Sequence, residues 1–408
     1  MNFSENKSFC VLPWMHIAVD PNGDVKPCCI SSTNVNKQDT KPYNLGYDTV
    51  SEIFSSPAYD KIRTDMLRGN PVAGCERCYE VEKTSTSYRN QYNAKWLELV
   101  QKKIDQNKVD TVEYFDLRFG NLCNLKCKSC SAENSSQYEK ELHQLKGIEK
   151  FIPIKPVLNM NDWYNTEIFL QNILSQKDNI QEIYITGGEP TIIEKNYQML
   201  EDLIKSGDAN NIVIKLNTNM TNIQDRFLDI ISQFKQVIFF ASIDGVGRIQ
   251  EYIRYPSNWN QIDSNFRKLI NRKPNNVILS VTPVIQNINL GYCVELFEYL
   301  EQFNRDSDKT VVNIAPIILY SPDQLSIDYL PLDYKIRCWD NIEDWIKTCK
   351  HQSSWFYNKM TELKNRCQTE VEYDHNMNRF REFTDIFDTH RNFYLRDVNP
   401  ELYKIVYK

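Results

Sequence analysis

The sequence lacks features that would place the protein in a membrane, outside the cell or on nucleic acid. Among its 408 residues, no apolar run approaches the roughly 18–20 residues that span a bilayer. The first residues, MNFSENKSFCVLPW, lack the basic and apolar segments of a secretory signal. Lys and Arg number 48 against 54 Asp and Glu, a net charge of −6 that argues against binding phosphate backbones or anionic lipid. We therefore expect a cytoplasmic protein without membrane or nucleic-acid partners.

Cysteine, by contrast, is abundant, with 12 residues, of which 8 lie in the first 130 positions. A disulfide scaffold is typical of small secreted chains, and this chain is neither. In a reducing cytoplasm, thiols grouped at short spacings indicate metal ligands. The last four cysteines are widely spaced in helix-like segments and are predicted to be ordinary buried residues: Cys293, Cys338, Cys349 and Cys367.

Hydrophobic patterns predict an α/β protein of four parts. A cysteine-rich block over 1–90, with one clear helix, leads through a linker helix at 91–111 into an alternating region over 112–322. A helical region over 323–408 follows. Strands are predicted at 114–119, 182–186, 212–217, 237–243, 277–285 and 311–319, with helices between them at 161–175, 195–206, 222–234, 259–272 and 289–304. Such apolar strands indicate parallel βαβ units, either in an open doubly wound sheet or in a partial barrel.

The most specific motif is CNLKCKSC, directly after the first of these strands. Cys123, Cys127 and Cys130 have the spacing C-x3-C-x2-C. Three thiolates on one loop can hold three corners of a cubane iron–sulfur cluster, which leaves the fourth iron open for a substrate or cofactor. Structural zinc is the alternative, but it normally has four ligands. No fourth ligand follows nearby, since His143 lies 13 residues further on.

A second motif, ITGGEPT, ends the next strand. Gly187 and Gly188 let the backbone approach a ligand closely, and Glu189 offers an acceptor for an ammonium group. Alone, such a sequence is more often an ordinary turn. Its position one strand after the cysteine loop makes the combination far more specific.

Together these motifs resemble the radical S-adenosylmethionine (SAM) superfamily, over about 112–320. The resemblance implies a partial (β/α)6 TIM-like barrel with a 4Fe–4S cluster on the three cysteines of the loop. It also implies that the amino and carboxylate groups of SAM bind the fourth iron, with Gly187, Gly188 and Glu189 beside the amino group. Reduction of the cluster would cleave SAM to a 5′-deoxyadenosyl radical, which abstracts hydrogen from the substrate.

Two further stretches resemble the family more loosely. NTNM places Asn219 in a turn near SAM, with Met220 where the family carries Gly. SIDG and a downstream IR place Ser242 and Arg254 as contacts to the SAM ribose or carboxylate. The alternatives are a strand-end hydroxyl and a solvated arginine.

The amino-terminal block carries another cysteine set. A G-x4-C spacing and the C-x2-C of GCERCYE resemble the SPASM/twitch auxiliary-cluster module, which follows the barrel in its best-known members. The resemblance implies a second 4Fe–4S cluster on Cys10, Cys28, Cys75 and Cys78. Cys29 competes with Cys28, although the G-x4-C spacing favours Cys28. A zinc ion on four thiolates fits the same set, and the neighbouring cluster motif favours iron–sulfur.

The carboxyl-terminal tail, FREFTDIFDTHRNFYLRDVNPEL, is predicted to form a helical cap. Its charged residues could reach the substrate, but their pattern favours a solvated face: Asp385, Asp388, His390 and Arg391. Similar tails occur in proteins of the twitch-domain radical SAM type.

The resemblance implies an enzyme that performs a net oxidation with help from the auxiliary cluster. Its substrate would be a peptide side chain or a sugar-like small molecule, and its electron donor a low-potential protein such as flavodoxin or ferredoxin. The rival hypothesis is a non-catalytic iron–sulfur or zinc protein for electron transfer or scaffolding. The GGEP motif argues against that rival.

Overall fold

The computed structural model describes residues 3, 6–83, 86–154, 162–305, 311–349, 352–371 and 374–407. These residues form two compact units. The first comprises Met1–Asn121, Asn159–Leu216 and Asp229–Val237, and the second Leu122–Leu158, Asn217–Leu228 and Ile238–Lys408. No helix in the described ranges is long and apolar enough to cross a membrane. The domain boundaries drawn from the sequence remain predictions.

Ten strands and sixteen α-helices make up the described chain. The strands are β1 (His16–Val19), β2 (Val25–Lys26), β3 (Tyr114–Arg118), β4 (Glu182–Thr186), β5 (Val213–Thr218), β6 (Gln236–Ala241), β7 (Val277–Val281), β8 (Val284–Ile285), β9 (Val312–Ile314) and β10 (Ile317–Ile318). The helices are α1 (Val50–Phe54), α2 (Pro57–Leu67), α3 (Glu76–Val81), α4 (Tyr88–Asp105), α5 (Ser136–Leu142), α6 (Glu167–Ser175), α7 (Glu194–Lys205), α8 (Asp225–Ile231), α9 (Arg248–Ile253), α10 (Trp259–Arg272), α11 (Cys293–Glu301), α12 (Leu332–Thr348), α13 (Ser354–Gln368), α14 (Asp374–Arg391), α15 (Leu395–Val398) and α16 (Pro400–Val406). The predicted helix start at 161 lies outside the described residues.

The first unit is built on strands in the order β2-β1-β3-β4-β5. β3 pairs in parallel with β4, and β4 with β5. The sequence analysis missed β1 and β2, because they are short and lie between loops. β1 pairs in parallel with β3, with His16 opposite Tyr114, so the cysteine-rich block extends the sheet of the alternating region.

The helix predicted within the amino-terminal block is in fact two helices. Thr49 and Glu52 form a capping box at the start of α1. Ser56 then caps α2, and Pro57 occupies its first turn, where a missing N–H costs nothing. Gly69 follows the end of α2, with a φ of +76° that favours glycine.

The second unit holds the end of β5, most of β6, and β7 and β9, which neighbour one another in chain order. The Ser242 N–H donates to Thr218 O at 2.8 Å, and the Ala315 N–H to Val281 O at 2.8 Å. A doubly wound sheet would reverse its strand order at a switch point. The continuous order is that of a partial (β/α)6 barrel, and the predicted α/β class is confirmed.

The last two predicted strands are each divided in two. Pro283 separates β7 from β8, and Pro316 separates β9 from β10, because proline has no N–H to donate to a strand ladder. β8 and β10 leave the main sheet and pair with each other in parallel. The two prolines thus mark the positions at which the chain leaves the main sheet.

The strands of the first unit have one apolar and one polar face. Phe115, Ile183 and Ile214 alternate with Asp116 and Glu182, and all five are buried. A sheet face that buries charged side chains needs internal partners for them. The periodicity of apolar residues therefore predicts only one of the two buried faces of this sheet.

Helices α11–α13 bury three of the widely spaced cysteines, as predicted. Cys293, Cys338 and Cys367 are buried free thiols, and Cys349 is half-buried. Trp339 and Trp345 on α12 join the apolar core of this helical region.

Candidate metal centres

The cysteine loop after β3 is held by backbone hydrogen bonds within the second unit. The Lys126 N–H donates to Tyr255 O at 2.6 Å, and the Lys128 N–H donates to Ile253 O at 3.2 Å. A tight turn joins the last two cysteines, since the Cys130 N–H donates to Cys127 O at 3.0 Å. The loop is thus an ordered platform for its three thiols.

The three thiols lie close enough to affect one another electrostatically. Burial raises the pKa of Cys127 to about 12, helped by Cys130 and Cys123 and opposed by the Arg254 charge. Burial likewise raises the pKa of Cys130 to about 11. Three convergent thiols beside a buried guanidinium suit an anionic iron–sulfur cluster, whose ligands must be thiolates.

Arg254 is held next to this site by Asp244. The Arg254 Nε donates to Asp244 Oδ2 at 2.7 Å, and its Nη2 donates to Asp244 Oδ1 at 3.2 Å. The Val284 N–H also donates to Asp244 Oδ1, at 2.8 Å. Sequence reasoning did not single out Asp244, although it lies in the quoted SIDG stretch. Ser242, two residues earlier, is half-buried at the end of β6.

Asn219 lies beside the cysteine loop. Its Nδ2 donates to Asn124 Oδ1 at 2.9 Å and lies 4.0 Å from Cys123 Sγ. Met220 has a φ of +64°, the left-handed conformation that favours glycine. The turn therefore keeps the backbone shape of the family pattern despite the methionine.

The GGEP turn belongs to the first unit. Gly187 has a φ of +104°, and a Cβ there would lie 3.2 Å from Arg118 Cα, so glycine is required on both counts. Glu189 is buried, and its Oε1 accepts hydrogen bonds from the Thr191 N–H at 3.1 Å and Oγ1 at 2.6 Å. The carboxylate is thereby oriented by its own turn.

The predicted auxiliary ligands line one cavity of the first unit. Cys10, Cys28, Cys75 and Cys78 surround it, together with Cys29 and the side chains of Arg77, Tyr88, Arg89 and Tyr92. Burial raises the pKa of Cys10 well above its usual value, and the nearby Cys28, Cys75 and Cys78 raise it further. Burial raises the pKa of Cys75 to about 12. Four mutually close thiols fit an iron–sulfur cluster.

Cys29 faces a different neighbour from Cys28. Burial raises the pKa of both thiols, but the next contribution to the pKa of Cys29 comes from Asp116 on β3. Cys28 interacts with Cys78 and, more weakly, with Asp116, and it raises the pKa values of Cys10 and Cys75, as Cys29 does not. This difference supports Cys28 as the ligand, in agreement with the G-x4-C spacing.

Asp116 is a buried carboxylate that sequence reasoning missed. Within the described part of the chain, no N–H or O–H group donates to either of its oxygens; the Cys29 thiol is its hydrogen-bonding neighbour, and the nearest cation is Arg118 Nε at 3.9 Å. Burial raises the pKa of Asp116 to about 6, although Arg118, Cys29 and Lys215 lower it. The alternation of β3 could have revealed it, since Asp116 interrupts an apolar strand.

The predicted solvated face of the carboxyl-terminal tail is wrong for two of its four residues. Asp388 and Arg391 are buried, whereas Asp385 and His390 are exposed. The Lys128 Nζ contacts Asp388 Oδ1 at 2.9 Å, so the tail reaches the cysteine loop. The pattern of charged residues along a helix does not show whether charged residues from other segments pack against them.

Two regions of the chain match known families. A family model described as the radical SAM superfamily matches residues 117–300, and one described as an iron–sulfur cluster-binding domain, SPASM, matches residues 10–79. An uncharacterized protein of Methanocaldococcus jannaschii is 26% identical over 200 residues, which cover 48% of this chain and 60% of that protein.

Two solved structures are also similar. SuiB of Streptococcus suis bound to S-adenosylmethionine is 15% identical, with a TM-score of 0.40 over 74% of this chain and 62% of that one. Native anSMEcpe with bound AdoMet is 17% identical, with a TM-score of 0.42 over 60% of this chain and 64% of that one. The chain thus covers less than two thirds of each of these proteins. The two family matches agree with the resemblance drawn from the motifs: residues 117–300 are similar to the radical SAM superfamily, and residues 10–79, which precede them, are similar to the SPASM iron–sulfur cluster-binding domain.

Proposed function

We propose that this enzyme cleaves SAM reductively at the cysteine loop and oxidises its substrate with the help of the auxiliary cluster. The observation that carries the proposal is the convergence of Cys123, Cys127 and Cys130 beside Arg254. Three ligands leave one iron of a cubane without a protein ligand. When bound, the cluster and SAM together supply an electron and a 5′-deoxyadenosyl radical.

The residues around the loop supply orientation and charge. Arg254 favours the thiolate forms of Cys127 and Cys130, because it lowers both pKa values. Asp244 holds its guanidinium in place through two hydrogen bonds. Asn219 is assigned to the SAM site on its position beside Cys123, and Ser242, Glu189 and the two glycines on their motifs.

The auxiliary ligand set supports a cluster rather than zinc. Tetrahedral Zn–S bonds of about 2.3 Å require sulfurs about 3.8 Å apart. The family model that matches residues 10–79 is described as an iron–sulfur cluster-binding domain. A cubane carries its four ligands on four different irons and so holds them farther apart. Cys10, Cys28, Cys75 and Cys78 are assigned to this cluster.

A net oxidation gives the auxiliary cluster its role. Hydrogen abstraction leaves a carbon radical on the substrate, and one further electron and one proton must leave it. A cluster with four protein ligands has no iron open for substrate but can accept that electron. A peptide side chain and a sugar-like molecule both remain candidate substrates, and flavodoxin or ferredoxin the candidate donor.

The first experiment measures 5′-deoxyadenosine release by the reconstituted, reduced protein without added substrate. We expect release by the parent and none by Cys127→Ala, because the cluster loses one of three ligands. Cys349→Ala is the matched control, since this thiol is half-buried and far from both motifs in sequence. Release by Cys127→Ala at the parental rate would contradict the assignment of Cys127 as a cluster ligand, whereas no release by the parent would favour the rival hypothesis of a non-catalytic protein.

The second experiment tests the auxiliary role once a substrate is known. Cys75→Ala should still cleave SAM but should form much less oxidised product per 5′-deoxyadenosine released. Iron analysis must show that only the auxiliary cluster is lost. Normal product yield from that variant would assign the auxiliary cluster a structural role instead.

A further inference from the structure

Helix α14 lies against the cysteine loop, although about 260 residues of chain separate them. It belongs to the second unit, as does the loop. Two of its side chains reach the loop, and each meets a different spacer of the C-x3-C-x2-C sequence. Asp388 contacts Lys128, between the second and third cysteines, and Arg391 contacts Lys126, between the first and second.

The first contact is a buried ion pair. The Lys128 Nζ donates to Asp388 Oδ1 at 2.9 Å, and the Lys128 side chain is 1% exposed. The ammonium group also lies 3.6 Å from the centroid of the Tyr252 ring, a cation–π contact. Burying a lysine next to thiols is costly unless such partners compensate it.

Asp388 is in turn fully engaged. Its Oδ1 accepts a second hydrogen bond from the Tyr252 hydroxyl at 2.6 Å, and its Oδ2 accepts one from the Leu395 N–H at 2.6 Å. The carboxylate therefore joins the loop, helix α9 and the start of α15. Each removed bond would leave a buried polar group without its partner.

The second contact uses the fork geometry of arginine. The Arg391 Nη2 donates to Lys126 O at 2.6 Å, while Nε and Nη2 form a bidentate pair with Glu141 at 3.0 and 2.5 Å. Both Arg391 and Glu141 are buried. Lysine could not reproduce three bonds in this arrangement.

We propose that α14 holds the cysteine loop in its cluster-binding conformation, with Asp388 and Arg391 as positioning residues for the SAM-binding cluster. The proposal rests on the assignment of Cys123, Cys127 and Cys130 as ligands. Neither residue is a cluster ligand. Both act through the loop backbone and Lys128, in the way that residues around a metal site orient its ligands.

The test uses the full chain reconstituted anaerobically, with Asp388→Asn and Arg391→Lys. Asparagine keeps an acceptor for Tyr252 and Leu395 but removes the charge that faces Lys128. We expect a ferrous chelator to remove about half of the iron at least about tenfold faster than from the parent. We also expect a changed response of the reduced protein's electron paramagnetic resonance spectrum to SAM.

Asp385→Asn is the matched control. Asp385 lies one turn earlier on the same helix, is exposed, and accepts a hydrogen bond only from Tyr407 among its described contacts. This variant should match the parent in both measurements. Trypsin cleavage after Lys126 or Lys128 in the iron-free protein provides a readout without the cluster, and it should be faster in both α14 variants.

The outcomes separate this proposal from the proposed function. If the parent shows no SAM-responsive signal, the proposed function fails first. If the parent shows it, and both α14 variants keep the parental iron-release rate and spectrum, the positioning role is wrong. A lower melting temperature with an unchanged spectrum would also overturn it, since that is a purely structural effect.

Discussion

Arg254 and the buried Asp244 form a bidentate ion pair at the edge of the cysteine loop, with N···O distances of 2.7 and 3.2 Å. The Arg254 guanidinium opposes the rise that burial gives to the pKa values of Cys127 and Cys130, whereas Asp244 raises the pKa of Cys127. A guanidinium in this position favours the anionic state of a cluster site. The ion pair also joins the SIDG and IR stretches, because Asp244 lies in the first, Arg254 lies in the second, and the two are ten residues apart.

The first prediction concerns this charge. Arg254→Met should lower iron loading at the cysteine loop and weaken SAM binding at least about tenfold, because thiolates lose their positive neighbour and Asp244 loses its partner. Arg254→Lys keeps the charge without the bidentate geometry. Its iron loading and SAM affinity should lie between those of the parent and those of Arg254→Met. Iron analysis and equilibrium binding of SAM measure both effects.

Arg248→Met is the control for this prediction. Arg248 begins the helix that Arg254 follows, and it is exposed. It should load iron and bind SAM like the parent. Equal SAM affinity in Arg254→Met and the parent would remove Arg254 from the SAM site.

The second prediction distinguishes the two adjacent cysteines of the auxiliary site. Cys28→Ala should reduce the iron content from about eight to about four atoms per chain, whereas Cys29→Ala should keep about eight. The reason is that Cys28 interacts with Cys78, while Cys29 faces Asp116. The opposite pattern would make Cys29 the ligand, and one zinc with four irons in the parent would make the site a zinc site.

The third prediction is a gain in stability. Asp116→Asn should raise the free energy of unfolding at pH 7.5 by up to about 3 kcal/mol, because each pKa unit is worth about 1.4 kcal/mol. Burial raises the folded-state pKa of Asp116 to about 6, above its usual value. The protonated carboxyl therefore stabilises the fold at low pH, and this stabilisation is lost as the pH rises through 6. The gain should therefore shrink as pH falls towards 4.

Glu182→Gln provides the contrast on the next strand. Glu182 is equally buried, but it pairs with Lys215 at 2.5 Å and with Lys95. Its loss leaves cations without partners and should lower stability. Urea unfolding of both variants makes the comparison, and a destabilised Asp116→Asn would show that Asp116 has a structural role.

The fourth prediction concerns His16, a buried histidine on β1. It is buried against the Tyr114 ring, with ring centroids 4.3 Å apart, and burial lowers its pKa to about 3. Between pH 6.5 and 3 the unfolded chain binds a proton that the folded chain does not. The free energy of unfolding therefore decreases as the pH is lowered through this range. In the parent, His16 lowers the free energy of unfolding by about 1.4 kcal/mol when the pH changes from 7.5 to 5.5, and His16→Leu should abolish this decrease.

His143→Leu is the control for the pH effect, since this histidine is exposed. It should leave the pH dependence of unfolding unchanged. The same pH dependence in His16→Leu as in the parent would mean that His16 does not control it.

Local spacing alone indicated the candidate cluster site of this protein. Cys123, Cys127 and Cys130 lie within eight residues, so their grouping depends on one loop and could be predicted without knowing the chain path. The same holds for the GGEP turn, where a φ of +104° at Gly187 follows from what only glycine tolerates. Strand positions followed from apolar periodicity, within a few residues.

Tertiary structure decided the features that join distant residues. Periodicity left the sheet type open, and the pairing of β1 with β3 depends on segments nearly 100 residues apart. Lys128 and Asp388 are 260 residues apart, and both look like surface charges in the sequence. A charged side chain becomes buried only when another part of the chain supplies its partner, and no local pattern records which part does.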